Sequence, residues 1–339
     1  MRAYGEFSVC LLRRGQEKGR TVRMQLRPLQ AEKDGSMSHL HIPGGVECLE
    51  DIVYKRVHDG AGGFMEMKLD LYRAAGRAPG RAPLLMLVHG GCWCHQTKRE
   101  GLPAWYMHFM GRETLLEDGW LVASVEYRKY PEGSPFPDQL YDCCDAFRFL
   151  ARHAEEYGVD TNNFFIVGAS AGGYAAAMLA CERARWRDAE NAPELADVDF
   201  DIAAAASCSG VLDIPRCVTE AERKAEANGD GRFRYCLQCL LSPERLHDPD
   251  VQREASPRTY LSPACAPCMV VCGTADTFVP CGQALDTGAC ARSLGLDWPE
   301  LLVSGAEHNF NPASADTPTV PDARSVYAAV RDFMRAHVR

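Results

Sequence analysis

No window of this 339-residue chain approaches the roughly twenty consecutive apolar residues that a membrane-spanning helix needs. Residues 1–19 are charged and hold no continuous apolar run of the kind that drives export. A membrane partner is therefore not expected, and the expected compartment is the cytoplasm. Positive charge is in deficit as well, with 37 Lys and Arg against 46 Asp and Glu and a net charge of −9 at pH 7. Nucleic-acid binding needs a basic stripe that displaces counterions from phosphates, and none is visible.

Cysteine is not scarce. The chain has sixteen, which is still below the density of a small disulfide scaffold. Cys208, Cys268 and Cys272 lie in apolar stretches, and the adjacent pair Cys143 and Cys144 falls on a helical pattern, so packing thiols in a reducing compartment are the expectation. Cys236/Cys239 and Cys265/Cys268 have Cys-x-x-Cys spacing and could together supply four zinc ligands. However, Cys265-Ala-Pro-Cys268 runs directly into an apolar strand, and neither pair has a polar knuckle turn. No metal is expected. His39 and His41 have no acidic or cysteine partner nearby and are read as ordinary polar residues.

Residues 1–48 are read as an N-terminal extension that either packs on the main domain or supports a homodimer. Short strands are expected there at Phe7 to Leu12 and Thr21 to Leu26, with a polar loop from Ala31 to Ser38. Residues 49–339 are read as one domain. Ile52 to Val57 and Met65 to Tyr72 alternate as a strand pair around a glycine-rich turn, and Leu84 to Val88 is a buried strand. A helix is expected through Tyr106 to Leu116, then a strand at Trp120 to Val125. Leu140, Cys143, Cys144, Phe147, Leu150 and Ala154 recur at helical spacing until Gly158 stops the run, and Asp160 with two asparagines reads as a turn.

Strands follow at Phe164 to Val167, Ile202 to Ser207, Met269 to Cys272 and Glu300 to Val303, with a helix at Ala171 to Ala180. An amphipathic helix, Asp322 to Val338, closes the chain with Val326, Val330, Phe333 and His337 on one side. Alternating strands and helices imply an α/β class with a mostly parallel central sheet flanked by helices. Between Ser209 and Pro263 the alternation is suspended, with helix-like pieces at Glu220 to Ala227 and Phe233 to Leu241. An insertion leaving the carboxyl edge of a strand lands above the ligand site, so residues 213–262 are read as a lid.

Gly168-x-Ser170-x-Gly172 joins an apolar strand to a helix. A serine in so tight a turn projects its hydroxyl above the sheet, and the free amides and positive dipole end of the helix face any oxyanion formed there. Acyl transfer then needs a base for the serine proton and a carboxylate to orient that base. Asp276 follows the fifth strand in Gly273-Thr-Ala-Asp276, and His308 follows the sixth in Gly305-Ala-Glu-His308-Asn-Phe310. Asp145, Asp213 and Asp286 lack the strand-end position in that order, and Glu307 is read as solvated. The chain order Ser170, Asp276, His308 is the one a strand–turn–helix serine hydrolase uses.

With these motifs, residues 50 to 339 resemble the α/β-hydrolase superfamily, in its esterase/lipase-like branch of hormone-sensitive-lipase-type, feruloyl-esterase-like and kynurenine-formamidase-like enzymes. The resemblance implies an α/β-hydrolase fold. It also implies that His89-Gly90-Gly91-Cys92-Trp93 is the oxyanion loop, with the amides of Gly90 and Gly91 joining that of Ala171. Cys92 stands where lipase-type members carry a third glycine, Ala169 where they carry aspartate, and His-Gly-Gly-x-Trp is the formamidase-like form. Cys92 and Trp93 are candidates for lining the substrate pocket. Three readings stay open: a carboxylic-ester hydrolase for small or aryl esters, a formamide or amide hydrolase, and a non-catalytic binding protein on the same fold. None of them calls for a cofactor.

Overall fold

The computed structural model describes residues 45–58, 62–78, 80–100, 106–110, 114–131, 133 and 136–339. The strands and loop expected before residue 45, and the dimer role suggested for them, lie outside the described residues. An eight-stranded sheet runs in the order β1-β2-β4-β3-β5-β6-β7-β8. β1 (Val46–His58), β2 (Phe64–Ala74) and β4 (Leu121–Val125) pair antiparallel in turn. β3 (Ala82–Val88) lies parallel between β4 and β5 (Val159–Ala169). β6 (Ala204–Cys208), β7 (Cys268–Gly273) and β8 (Glu300–Val303) extend the parallel run. β1 begins at Val46, where this edge strand exposes Glu47, Leu49 and Glu50 and so breaks the apolar signal.

The central strands read as unbroken apolar runs because both faces are covered. Phe164 meets Phe147 of α1 (Asp138–Arg152) with centroids 5.1 Å apart, while its neighbour Phe165 meets Trp120 at 4.7 Å. The alternation of side chains along a strand sends these two rings to opposite layers. After the single turn α2 (Ala154–Tyr157), Gly158 turns the chain at φ 68° into β5. The turn expected at Asp160 to Asn163 is instead the first part of β5. Asn163 donates to Asp160 at 2.7 Å and accepts from the Arg339 amide at 2.7 Å, so these polar residues are satisfied within a strand.

α3 (Ala171–Cys181) is buried on all sides, and its small residues let it lie directly on β5 and β6. The segment between β6 and β7 forms α4 (Ile214–Asn228), α5 (Arg232–Leu241) and α6 (Pro249–Glu254). Asp213 caps α4 by accepting from Arg216 N at 3.2 Å and also pairs with Arg258 at 2.8 Å, which ties the two ends of the segment together. α7 (Cys281–Ser293) and α8 (Ala323–Ala336) complete the layers. The buried stripe of α8 is Val326, Val330 and Met334, an i, i+4 row that leaves Phe333 and His337 half-buried. Where a helix is expected across Tyr106 to Leu116, the described residues show a π-turn at Tyr106–Met110 and turns at 115–119.

Candidate active site

Ser170 is the junction between β5 and α3, at φ 55° and ψ −116°. A non-glycine residue there costs on the order of 1–3 kcal/mol and persists only where its surroundings leave no alternative. Those surroundings are tight. A Cβ on Gly168 would lie 2.0 Å from the Gly172 carbonyl oxygen, and one on Gly172 would lie 2.0 Å from the Val88 oxygen. The Ser170 amide is held by Cys208 O at 2.8 Å. The turn is thus wedged between the ends of β3 and β6.

The 89–95 loop leaves β3 beside this turn, and a Cβ on Gly90 would stand 3.3 Å from Ser170 Cβ. Gly91 has φ +98°, and any side chain there would meet the His95 carbonyl at 2.2 Å. The Gly91 oxygen accepts from the amides of Cys94 and His95 at 3.0 and 2.8 Å. The Tyr127 hydroxyl lies 3.0 Å from both the His89 and Gly90 oxygens, and its ring stacks on His89 at 4.2 Å. His89 Nε2 sits 3.3 Å from Glu126. Burial pushes the Glu126 carboxyl up, but His89 and Lys129 outweigh it and hold the group down at about 2. With the carbonyls engaged, the amides of Gly90, Gly91 and Ala171 donate to no acceptor among the described residues. They are the donor type an oxyanion needs.

Asp276 and His308 stand beyond β7 and β8. Asp276 Oδ1 accepts from the amides of Phe278 and Val279 at 2.8 and 2.9 Å, which leaves Oδ2 to meet His308 Nδ1 at 2.8 Å. The Asp276 side chain is 1% exposed and that of His308 18%. Ser209, at the end of β6 with φ 49°, donates its hydroxyl to the His308 oxygen at 2.7 Å. The end of β6 therefore binds the Ser170 amide through Cys208 and the His308 backbone through the next residue. Ser170 and His308 are not hydrogen-bonded to each other in this structure; such contacts are often long before substrate arrives. Glu307, expected to be solvated, accepts from Thr277 N and Oγ1 at 3.0 and 2.9 Å and joins the acid and histidine loops.

Residues 69–288, more than half of the chain, match the model of one family, BD-FAE. The chain belongs to the BD-FAE family. Esterase LipQ of Mycobacterium tuberculosis is 30% identical over 90% of this chain and 67% of its own length. Isoprenylcysteine alpha-carbonyl methylesterase ICME of Arabidopsis thaliana is 26% identical over 71% of this chain, and the match spans about half (53%) of the relative. The propionate-bound esterase Est2 of Thermogutta terrifontis superposes with a TM-score of 0.64 at 20% identity, covering 87% of this chain and 95% of that one. The likeness is to its α/β-hydrolase fold.

In this BD-FAE chain, several side chains that position the site carry no motif. Gln139 of α1 accepts from the Trp93 indole at 2.7 Å and donates to the Ala171 oxygen at 3.1 Å, so one side chain links the 89–95 loop to α3. Trp93 is only 4% exposed and packs edge-on against Tyr174 at 5.5 Å. Its ring braces the loop from within the core. Gln283 of α7 accepts from Leu212 N at 2.7 Å and donates to the Gly210 oxygen at 2.9 Å, anchoring the root of the 213–262 segment. Gln139 was open to detection as a polar residue at a helical core position; Ser209 and Gln283 give no such signal.

The cysteines sort differently from their sequence spacing. Cys236 lies beside half-buried Cys92, and Cys239 beside Cys94, so α5 lies against the 89–95 loop. Cys265 is paired with Cys181 instead, and hydrogen bonding from that thiol holds it down at about 6. The two Cys-x-x-Cys pairs thus face different partners. No group of three or more His, Cys, Asp or Glu among the described residues is arranged to hold a metal.

Proposed function

We propose that this chain is a serine hydrolase that cleaves carboxylic esters of small or aryl substrates through an acyl-enzyme on Ser170. The observation that carries the reading is the convergence at one sheet edge of a strained serine, three undonated amides and a hydrogen-bonded Asp276–His308 pair. Ser170 Oγ attacks the ester carbonyl carbon while His308 Nε2 takes its proton. Asp276 holds Nδ1 protonated and stabilises the imidazolium, and the amides of Gly90, Gly91 and Ala171 receive the oxyanion. His308 then protonates the departing alcohol, and a water activated by the same ring releases the acid. Two relatives named as esterases support the ester reading. The segment at 213–262 acts as the lid, with α5 over the 89–95 loop. Free thiols throughout the described residues favour a reducing, cytoplasmic setting.

The test is trapping. Rapid quench with 4-nitrophenyl butyrate followed by peptide mass mapping is expected to place a butyryl group on Ser170. Acylation at another residue, or turnover unaffected by Asp276→Asn, contradicts the assignment.

A further inference from the structure

Cys272 is the last-but-one residue of β7 and Cys281 opens α7, and their Sγ atoms lie 2.7 Å apart. The intervening residues 273–280 form the loop that carries Asp276 and Phe278. We infer that Cys272 and Cys281 are a redox-reactive dithiol that closes to a disulfide with hydrogen peroxide or a glutathione-type disulfide. This modification site goes beyond the hydrolase reading and does not depend on it.

The two thiols are not equivalent. Cys272 is 4% exposed, whereas Cys281 is half-buried and sits in the first position of a thirteen-residue helix, where the helix dipole favours a thiolate. The hydrogen bond from Cys272 draws the Cys281 thiol below its ordinary value, and the same bond, with burial, pushes Cys272 up. Cys281 is accordingly the attacking sulfur and Cys272 the resolving one. With peroxide, the Cys281 thiolate takes one oxygen and hydroxide leaves. Cys272 then attacks the sulfenic sulfur, the S–S bond forms, and the second hydroxide departs with the Cys272 proton as water. Overall two thiols are oxidised by two electrons, one peroxide is reduced, and two waters form. With a glutathione-type disulfide, the Cys281 thiolate displaces one glutathione thiolate to give a mixed disulfide, and Cys272 displaces the second, so that one disulfide is reduced to two thiols. Closure needs only a short approach of the sulfurs to the about 2.05 Å of a disulfide, so the acid loop keeps its place. The covalent link restricts the unfolded chain and raises the melting temperature by a few degrees.

The experiment treats the full chain with hydrogen peroxide or oxidised glutathione, blocks remaining thiols under denaturing conditions, and digests with trypsin and an Asp-N protease. Cleavage before Asp276 separates the two cysteines, so the expected product is peptide 259–275 linked to peptide 276–285, with Cys272 assigned by fragmentation. In Cys272→Ser, Cys281 is expected to appear as a dimedone-trapped sulfenic acid or a glutathione adduct, while in Cys281→Ser, Cys272 stays unmodified. Full alkylation of both thiols in oxidant-treated wild type, or linkage of Cys281 to a different cysteine, overturns the inference.

Discussion

Phe278 meets the His308 ring edge-on, with centroids 5.2 Å apart at an interplanar angle of 64°. Phe278 also packs against Phe233 of α5 at 5.5 Å, so the 213–262 segment reaches the candidate base through two aromatic rings. Phe278→Ala removes that support. We expect kcat/KM on 4-nitrophenyl acetate to fall about tenfold, since small displacements of a reacting group are costly, with the far-UV circular dichroism unchanged. Unaltered kinetics would show that the ring is packing only.

Asp276→Asn tests the orientation of the histidine. An amide can place its NH2 toward Nδ1 and select the wrong tautomer, which in a serine triad lowers kcat by on the order of 10⁴. A loss of about 10³ to 10⁴ with little change in KM is expected in steady-state assays. A loss below about tenfold would remove Asp276 from the mechanism.

Gly172→Ala tests the wedge beneath the serine. Its Cβ would meet the Val88 carbonyl oxygen at 2.0 Å, and backbone cannot step aside as a side chain can. Destabilisation of about 1–3 kcal/mol or more is expected from such overpacking, read by chemical denaturation, together with loss of activity as Ser170 shifts.

Lys55 shows where sequence and structure part. It is 3% exposed and pairs with Asp142, Asp145 and Asp188 at 2.7, 2.9 and 2.9 Å, while Arg128 also holds Asp142 and Asp188. Lys55→Met leaves buried carboxylates short of a partner and is expected to cost about 3–5 kcal/mol. Burial pushes Asp142 and Asp188 up, but Lys55 and Arg128 outweigh it; Asp142 is lowered and Asp188 is held at about 2. Their folded values lie below the unfolded value of about 3.9, so this stability is present above about pH 4 and is lost as pH falls toward about 2. Asp145 is raised by burial and offsets part of it. Melting temperatures from pH 7 to 2 are expected to drop in that window for wild type, and at higher pH for Lys55→Met.

The sheet and the strand-end positions of Ser170, Asp276 and His308 were legible because buried parallel strands are plain apolar runs and the motifs follow them directly. Glu300 to Val303 matches β8 residue for residue. What stayed hidden depends on distant partners. Asp160 and Asn163 look like a turn until each satisfies the other and Arg339 within β5. Lys55 lies in a strand segment with no motif around it, and only the fold brings three aspartates to it. The cysteine pairs follow neighbours in space, so the spacing of Cys236 and Cys239 says nothing of Cys92 and Cys94. α6 is six residues long and capped by Asp248, too short for any periodic signal.

The central claim is tested most directly by hydrolysis of 4-nitrophenyl acetate and butyrate by wild type and Ser170→Ala side by side, with fluorophosphonate labelling of both. The account predicts turnover and labelling at Ser170 in wild type and neither in the variant. A wild type that is inert and unlabelled, or a variant as fast as wild type, contradicts it.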